Sequence, residues 1–296
     1  MKLKIFMDSG AFSAKTQGIK LSLDTYIAFI KQYSAFISVY ANLDVIGDPD
    51  ATWKNQQLME KAGLHPLPCY HLGESYKWLQ HYCDQYDYVA IGGMVGNKNL
   101  GPFLDHIFHD FICDSSGFPR VKTHSFGLTS NRLVIRYPWY SVDAITGKLK
   151  GFNGLIYVPQ TKPNGDWDYL KRPYEIGVSW RQPDATSDPM HFDNMSPLLR
   201  AHVERYLKQE KIPIGHSKVK HVDIDYKPNP KCENWCGPKQ ADGKRLLEVR
   251  TEDGVRNSTP LRDRLNIRFS HHLQEALPPW PWAFKADGER QEGLGL

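Results

Sequence analysis

No apolar run in this sequence reaches the length of a membrane span, and neither an internal repeat nor a low-complexity block is present. The opening MKLKIFMDSGAFS holds too short an apolar stretch for a secretory signal. Cysteine is scarce. Cys69, Cys83, Cys113, Cys232 and Cys236 are odd in number and widely spaced, which argues against a disulfide framework and for a reducing compartment, so the expected location is the cytoplasm. Net charge is small as well: the formal value of +4 permits a polyanionic partner without requiring one. That excess sits in residues 215–268, where twelve lysines and arginines face eight acids. With 41% hydrophobic and 24% charged residues, wholesale disorder is excluded, and 296 residues suffice for one large domain or a domain with a small appendage.

What is there, through the first half, is alternation. KIFMDS reads as a buried strand, and Ser22 is placed to cap a helix carrying Tyr26, Ile30 and Tyr33 on one face. FISVYANLD (strand), DATWKNQQLMEKAG (helix, closed by Gly63), HPLPCYHLG (strand), ESYKWLQHYCDQ (helix), YDYVAIGGMVG (strand), FLDHIFHDFIC (helix) and RVKTHSFGL (strand) follow. SNRLVIRYP then leads to a strand in WYSVDAITG. Such alternation predicts right-handed βαβ units and a parallel sheet. GLIYVP and YEIGVSW would add two strands and complete a (β/α)8 barrel, with an open doubly wound sheet as the alternative. The expected architecture is thus an α/β barrel of the TIM type, of standard or modified topology, over residues 1–183 or as far as about 214. Residues 215–296 form a small basic C-terminal extension. Beyond 183 the pattern weakens: only SPLLRAHVERYLKQE reads as a clear helix, and KADGERQEGLGL looks like a flexible tail.

Chemistry-bearing residues fall at the ends of the predicted strands: Asp8, Asp44, His71, Gly92-Gly93, His124 and Asp143. A barrel gathers those ends on one face, where the active sites of this fold sit. Two carboxylates meeting across a sugar can cleave a glycosidic bond, one attacking the anomeric carbon while the other handles protons; in retaining glycosidases the pair stands about 5–5.5 Å apart. Asp44 is suited to accept hydrogen bonds from the edge of a guanine-like base. Gly92 and Gly93 leave backbone N–H groups open to its carbonyl, and Phe12, two residues past Gly10, is placed to stack on it. Each residue also has a plainer use. Asp8 and Asp143 would close turns, Asp44 has neighbours in Asp48 and Asp50 that fit an ordinary turn, and His71 and His124 would serve as hydrogen-bonded structural histidines.

These segments, in this order, resemble the tRNA-guanine transglycosylases. DSGAFS at Asp8 resembles their DSGGFQ-type motif, ANLD at Asp44 their base-reading strand, and AIGGMVG (Ala90 to Gly96) their GGLAVG-type loop. THSFGL (Thr123 to Leu128) and SVD (Ser141 to Asp143) resemble the strands that lead to and carry the nucleophile. The resemblance covers roughly residues 1–150. It implies base exchange without a redox or nucleotide cofactor: Asp143 attacks the sugar and expels guanine, a 7-deazaguanine takes its place, and Asp8 manages the proton. Asp44 and Gly93 would read the base, with a hydrogen bond from Ser9.

The sequence departs from that family in three places. Asp8 lies at the start, where considerable sequence precedes the motif in the tRNA enzymes. Tyr70 and His71 stand where they carry a Gln-Gly-Gly run. The zinc motif of clustered cysteines and a histidine is reduced to Cys232-x-x-x-Cys236, with His216 and His221 before and His271 and His272 after. Two Cys and two His would complete a structural zinc site; the alternative is a loop with free thiols. A shortened frame with the aspartate pair retained is similar to the DNA-modifying branch of phages and bacteria, which inserts 7-deazaguanines into DNA. A member encoded by a phage would work in the host cytoplasm. The expected partners are therefore DNA, with tRNA as the alternative, and a base such as 7-cyano-7-deazaguanine, the target nucleotide being flipped out or unpaired. Arg132, Arg136, Lys148 and Lys150, flanking Asp143, are expected to hold phosphates. The basic segment with Trp235, Trp280 and Trp282 fits either a nucleic-acid surface or a small packed core. An N-glycosidase, with water in place of the incoming base, and a non-catalytic DNA-binding module are the remaining alternatives.

Overall fold

The computed structural model describes residues 5–97, 99–128, 130–143, 146–182, 185, 187–236 and 239–285 of a mixed α/β protein. The KADGERQEGLGL tail, apart from Lys285, lies outside the described residues. Two compact units result: Met1–Ala144 with Pro278–Glu292, and Ile145–Leu277 with Gly293–Leu296. The chain passes from the first unit to the second just after Asp143, and a segment from near the end of the chain returns to the first unit.

In the first unit the elements run β1 (Ile5–Met7), α1 (Ala11–Gln17), α2 (Leu23–Tyr33), β2 (Ile37–Tyr40), α3 (Pro49–Lys61), β3 (Cys69–His71), α4 (Tyr76–Gln85), β4 (Tyr88–Gly92), α5 (Gly101–Ile107), β5 (Lys122–Ser125), α6 (Asn131–Arg136) and β6 (Ser141–Val142). Local chemistry sets the helix starts. Ser22 accepts from the Thr25 amide, and Asp48 accepts from the Ala51 amide at 2.9 Å ahead of Pro49. Helix α5 passes into a π-helical turn at Phe108–Ile112.

Strand β1 pairs in parallel with β2, a parallel bridge from Ala41 to Leu67 carries the set on to β3, and β3–β4–β5–β6 continue in parallel. The strands therefore neighbour one another in chain order, as short right-handed βαβ connections require. The sheet also curls: Phe6 of β1 stacks on His124 of β5, ring centroids 4.2 Å apart, although three strands separate them in order. Phe6, Val39, Leu67, Cys69, Ala90 and Phe126 fill the inside of the curl. Among the described residues no ladder joins β6 back to β1.

Helices cover the outside over the main core, which includes Leu79, Tyr82, Val89, Ile91, Leu104, Ile107, Phe108, Tyr137 and Trp139. Phe284 completes that core, stacked on Tyr137 at 5.2 Å, and its amide donates to the Gly117 carbonyl at 2.8 Å. Gly117 is obligatory there, because a Cβ would stand 2.3 Å from the Phe284 carbonyl oxygen and the backbone adopts φ +82°. Trp280 donates to the Pro138 carbonyl at 3.1 Å. Its role here is packing of the returning segment.

The second unit holds α7 (Thr146–Phe152), β7 (Leu155–Val158), β8 (Gln160–Thr161), β9 (Trp167–Asp168), β10 (Tyr174–Gly177), α8 (Pro197–Glu210), β11 (His216–Asp223), β12 (Glu233–Cys236), β13 (Lys244–Glu252) and α9 (Thr259–Ala276). The expectation that GLIYVP and YEIGVSW extend the parallel set is corrected. They form β7 and β10, which pair antiparallel with each other around the β8–β9 hairpin. No crossover helix lies between them, and a parallel pairing needs one. Helix α8 is as expected, capped by Ser196, but an antiparallel β11–β13–β12 sheet and the long α9 also follow where little structure was read. The charge-rich strands leave many side chains exposed, and α9 buries Arg262 and Asn266, which breaks its apolar stripe. Arg262 is satisfied by the carbonyls of Gly151 and Val255 at 2.6 and 2.7 Å, and Asn266 by the Tyr157 amide and the Gly147 carbonyl at 2.8 and 2.9 Å.

Within the described residues no helix is long and apolar enough to cross a membrane. Removing the Phe284 ring leaves a hole in the main core. Phe284→Ala should lower stability by about 3 kcal/mol, read as a shift in the urea midpoint with an unchanged slope.

Candidate active site

Parallel strands present all their C-terminal ends on one side. Asp8 directly follows β1, Asp44 lies just past β2, His71 and Gly92 are the last residues of β3 and β4, His124 is the penultimate residue of β5, and Asp143 directly follows β6. Parallel pairing thus sets these residues on the same side of the strands, although none of them are neighbours in the chain.

Contacts tie them together. The Ser9 hydroxyl donates to Asp44 Oδ1 at 2.7 Å, and the other Asp44 oxygen meets His71 Nε2 at 3.0 Å. His71 Nδ1 meets Glu74 Oε1 at 3.1 Å, while the His71 amide donates to Glu74 Oε2 at 3.0 Å. His71 thus bridges two carboxylates, all three side chains being less than a tenth exposed. Burial works against its cationic form, but Cys69 and the Asp44 and Glu74 carboxylates outweigh burial and raise its pKa. Cys69 Sγ lies 3.6 Å from His71 Nε2, and burial pushes this thiol up to about 11.

Asp143 is fixed from the opposite end of the sheet. Its Oδ1 accepts from the Gly127 amide at 2.6 Å, and its own amide donates to the Ser125 carbonyl at 3.1 Å. Asp8 and Asp143 remain open to solvent as residues, yet both carboxyls titrate above the ordinary range. For Asp143 the causes are partial burial, offset by the Gly127 amide, and the charge of Asp8; for Asp8 they are partial burial, offset by the Gly10 amide, and the charge of Asp44. Asp8 thus stands in one electrostatic field with both other aspartates. Repulsion of this kind is mutual, so the raised proton affinity of Asp8 and Asp143 belongs to that pair and not to one member. Tyr26 feels Asp8 and Asp44 as well, and its hydroxyl donates to the Ala41 carbonyl at 2.9 Å.

The glycines divide in role. Gly92 pairs with His71 across β3–β4, and a Cβ on it would stand 2.8 Å from His71 Cδ2 and 3.3 Å from Cys69 Sγ. It makes room for the imidazole, beyond any service to a ligand. Gly93 and Gly10 hold φ of +74° and +75° in the turns after β4 and β1. Phe12 is 56% exposed on α1, open for stacking. His124 is buried; burial brings its pKa down to about 4 and keeps it neutral, with Nδ1 2.6 Å from the Ser141 hydroxyl, which in turn meets the Tyr88 hydroxyl at 2.6 Å. It orients the strand that carries Asp143.

The expected phosphate-holding residues fare differently. Arg132 is exposed on α6. Arg136 is committed elsewhere: it pairs with Asp105 at 2.8 Å and lies over the rings of Tyr137 and Phe284. Lys150 pairs with Glu175 at 2.5 Å, and it and the exposed Lys148 belong to the second unit. Cys236 is buried in β12, its thiol donating to the Asn234 carbonyl at 3.9 Å. Among the described residues, Cys232 and Cys236 join no group of converging metal-ligand atoms; His221 instead meets Gln240 at 3.2 Å. Cys69 and Glu74 went unnoticed in the sequence. The signals were Cys69-x-His71, which puts both side chains on one face of a strand, and the spacing of Glu74 three residues past His71 in HLGE.

Comparison with protein-family models, with curated proteins and with solved structures gave no match for this chain.

Two outcomes follow from the geometry. Because His71 is held at both ring nitrogens, it cannot move aside for a Cβ at 92; Gly92→Ala should cost about 1–3 kcal/mol, seen as a lowered Tm. Asp8 and Asp143 have raised folded-state pKa values, so each destabilises the fold once pH passes from the unfolded carboxyl value of about 3.9 through its folded one. Asp8→Asn or Asp143→Asn should therefore raise Tm at neutral pH, the gain vanishing in acid as the wild-type carboxyl becomes protonated in both states; thermal melts across pH check this.

Proposed function

We infer that the protein is a transglycosylase that exchanges guanine in DNA for a 7-deazaguanine such as the 7-cyano form. The feature that supports this is the Asp8–Asp143 pair: two carboxylates at the C-terminal ends of the parallel strands β1 and β6, 135 positions apart in sequence, with the charge of Asp8 helping, after partial burial, to raise the Asp143 pKa. The accompanying fold is a (β/α) barrel of modified topology, with the curled β1–β6 sheet as its wall.

In the exchange, an Asp143 oxygen attacks C1′ of the flipped deoxyguanosine while the C1′–N9 bond breaks and its electron pair leaves on the base. Asp8, holding a proton longer than an isolated aspartate, supplies it to the departing guanine. The incoming deazaguanine then gives a proton to Asp8 and attacks C1′, and the Asp143–sugar bond breaks with its electrons returning to the carboxylate. Bonds made and broken match in number and kind, so no nucleoside triphosphate is consumed. The Gly127 amide favours the ionised form of Asp143, as a nucleophile requires. Phe12 offers an exposed ring for the base, and exposed Arg132 is the first unit's candidate phosphate ligand from the expected set.

The test is nucleoside mass spectrometry after incubating the protein and 7-cyano-7-deazaguanine with DNA and tRNA in parallel. Modified deoxynucleoside is expected from DNA, and Asp143→Ala should reduce it by at least about three orders of magnitude. Incorporation into tRNA alone moves the reaction to that polymer. Abasic sites without incorporation mark an N-glycosidase, and no reaction on either polymer overturns the enzyme assignment.

A further inference from the structure

Cys69 has no part in the exchange chemistry, yet its position is tightly specified. It is 1% exposed, shares one face of β3 with His71, and the absence of a side chain at Gly92 makes space for both. His71 Nε2 meets two partners at once, Asp44 Oδ2 at 3.0 Å and Cys69 Sγ at 3.6 Å, and a single N–H or lone pair on that nitrogen has to be divided between them. One cation would account for all three atoms, which lie within 4.8 Å of one another. With bonds of about 2.3 Å to sulfur and about 2.0 Å to nitrogen and oxygen, a tetrahedral centre has an S···N edge of about 3.5 Å and an N···O edge of about 3.3 Å. The observed 3.6 and 3.0 Å are close to both.

The surroundings are those of a ligand set. Glu74 holds His71 Nδ1, fixing the ring with Nε2 directed at Asp44 and Cys69; a carboxylate on the far nitrogen is the usual support of a metal-bound histidine. Ser9 holds Oδ1 of Asp44 and leaves Oδ2 facing the histidine. The other group of this kind among the described residues, His271, His272 and Glu275, lies on the outer surface of α9, where His272 already meets Glu210 and Glu275.

We propose that Asp44, Cys69 and His71 bind one borderline divalent cation of the zinc type, leaving its fourth position to water or a heteroatom of the substrate. The mixed S, N, O set suits zinc over magnesium or calcium, which take oxygen ligands. Glu74 is a positioning residue. The site stands on its own geometry, whether or not base exchange is observed.

Untagged full-length protein, stripped with a chelator and titrated with Zn2+ or Co2+ alone, should take up one ion per chain. The Co2+ form should show thiolate charge-transfer absorption in the near ultraviolet, and Cys69→Ser should abolish it. Glu74→Gln should weaken Co2+ binding by about 10–100-fold without changing the band. Because a core cysteine variant can misfold, X-ray absorption at the zinc edge of the wild type gives a second readout: a single sulfur neighbour at about 2.3 Å with nitrogen and oxygen neighbours. Two sulfurs, no sulfur, only a trace of bound metal, or binding that survives Cys69→Ser and disappears in Cys236→Ser or His272→Ala would each overturn the proposal.

Discussion

Three carboxylates follow parallel strands of the first unit, Asp8 after β1, Asp44 after β2 and Asp143 after β6, and the unit is organised around containing the repulsion of Asp8 by Asp44 and of Asp143 by Asp8. Asp44 is held by the Ser9 hydroxyl and by His71, which Glu74 steadies from behind, while Asp143 is held by the Gly127 amide. Asp8 stands between them electrically, with the Gly10 amide as its main relief. A fold selected only for stability would place apolar or oppositely charged groups here. Retaining like charges in partial burial is a cost that sites of chemistry characteristically bear.

The scaffold makes that cost tolerable by being rigid just below the site. Phe6 on His124 locks the first strand against the fifth, and the hydroxyls of Ser141 and Tyr88 continue the contact to the strand bearing Asp143. Small residues do as much as large ones. Without Gly92 the His71 ring has no place, and without that ring Asp44 loses the partner that balances its second oxygen. The returning segment at Phe284 closes the far side of the same core, so a stretch more than 130 residues beyond Asp143 helps hold the sheet on which Asp143 sits.

Strands β1 to β6 and helices α2 to α5 were legible because a half-buried helix and a buried strand leave different periodicities, and because Ser22 and Gly63 mark helix ends by local hydrogen bonding or backbone freedom; the short α1 carries too few turns to show a period, and α6 was seen only as a short connecting segment. The last third resisted the same approach. Helix α9 buries an arginine and an asparagine at positions that look like solvent-facing ones, and strands β11 and β13 alternate charged with apolar residues on a partly exposed sheet. Arg136, near Asp143 in sequence, pairs with Asp105 and lies over two rings, through packing that sequence proximity does not reveal.

By itself, then, the sequence determined the succession of strands to residue 143 with the helices α2 to α5, and the fact that acidic and histidine side chains end the strands, since both follow from interactions within a few residues. Only the tertiary structure decided that Cys69 and Glu74 belong with Asp44 and His71, that Asp8 and Asp143 share one field, and that β7 and β10 turn back on each other. Those outcomes depend on strand register and on the curl of the sheet, which are set by the simultaneous packing of residues far apart in the chain.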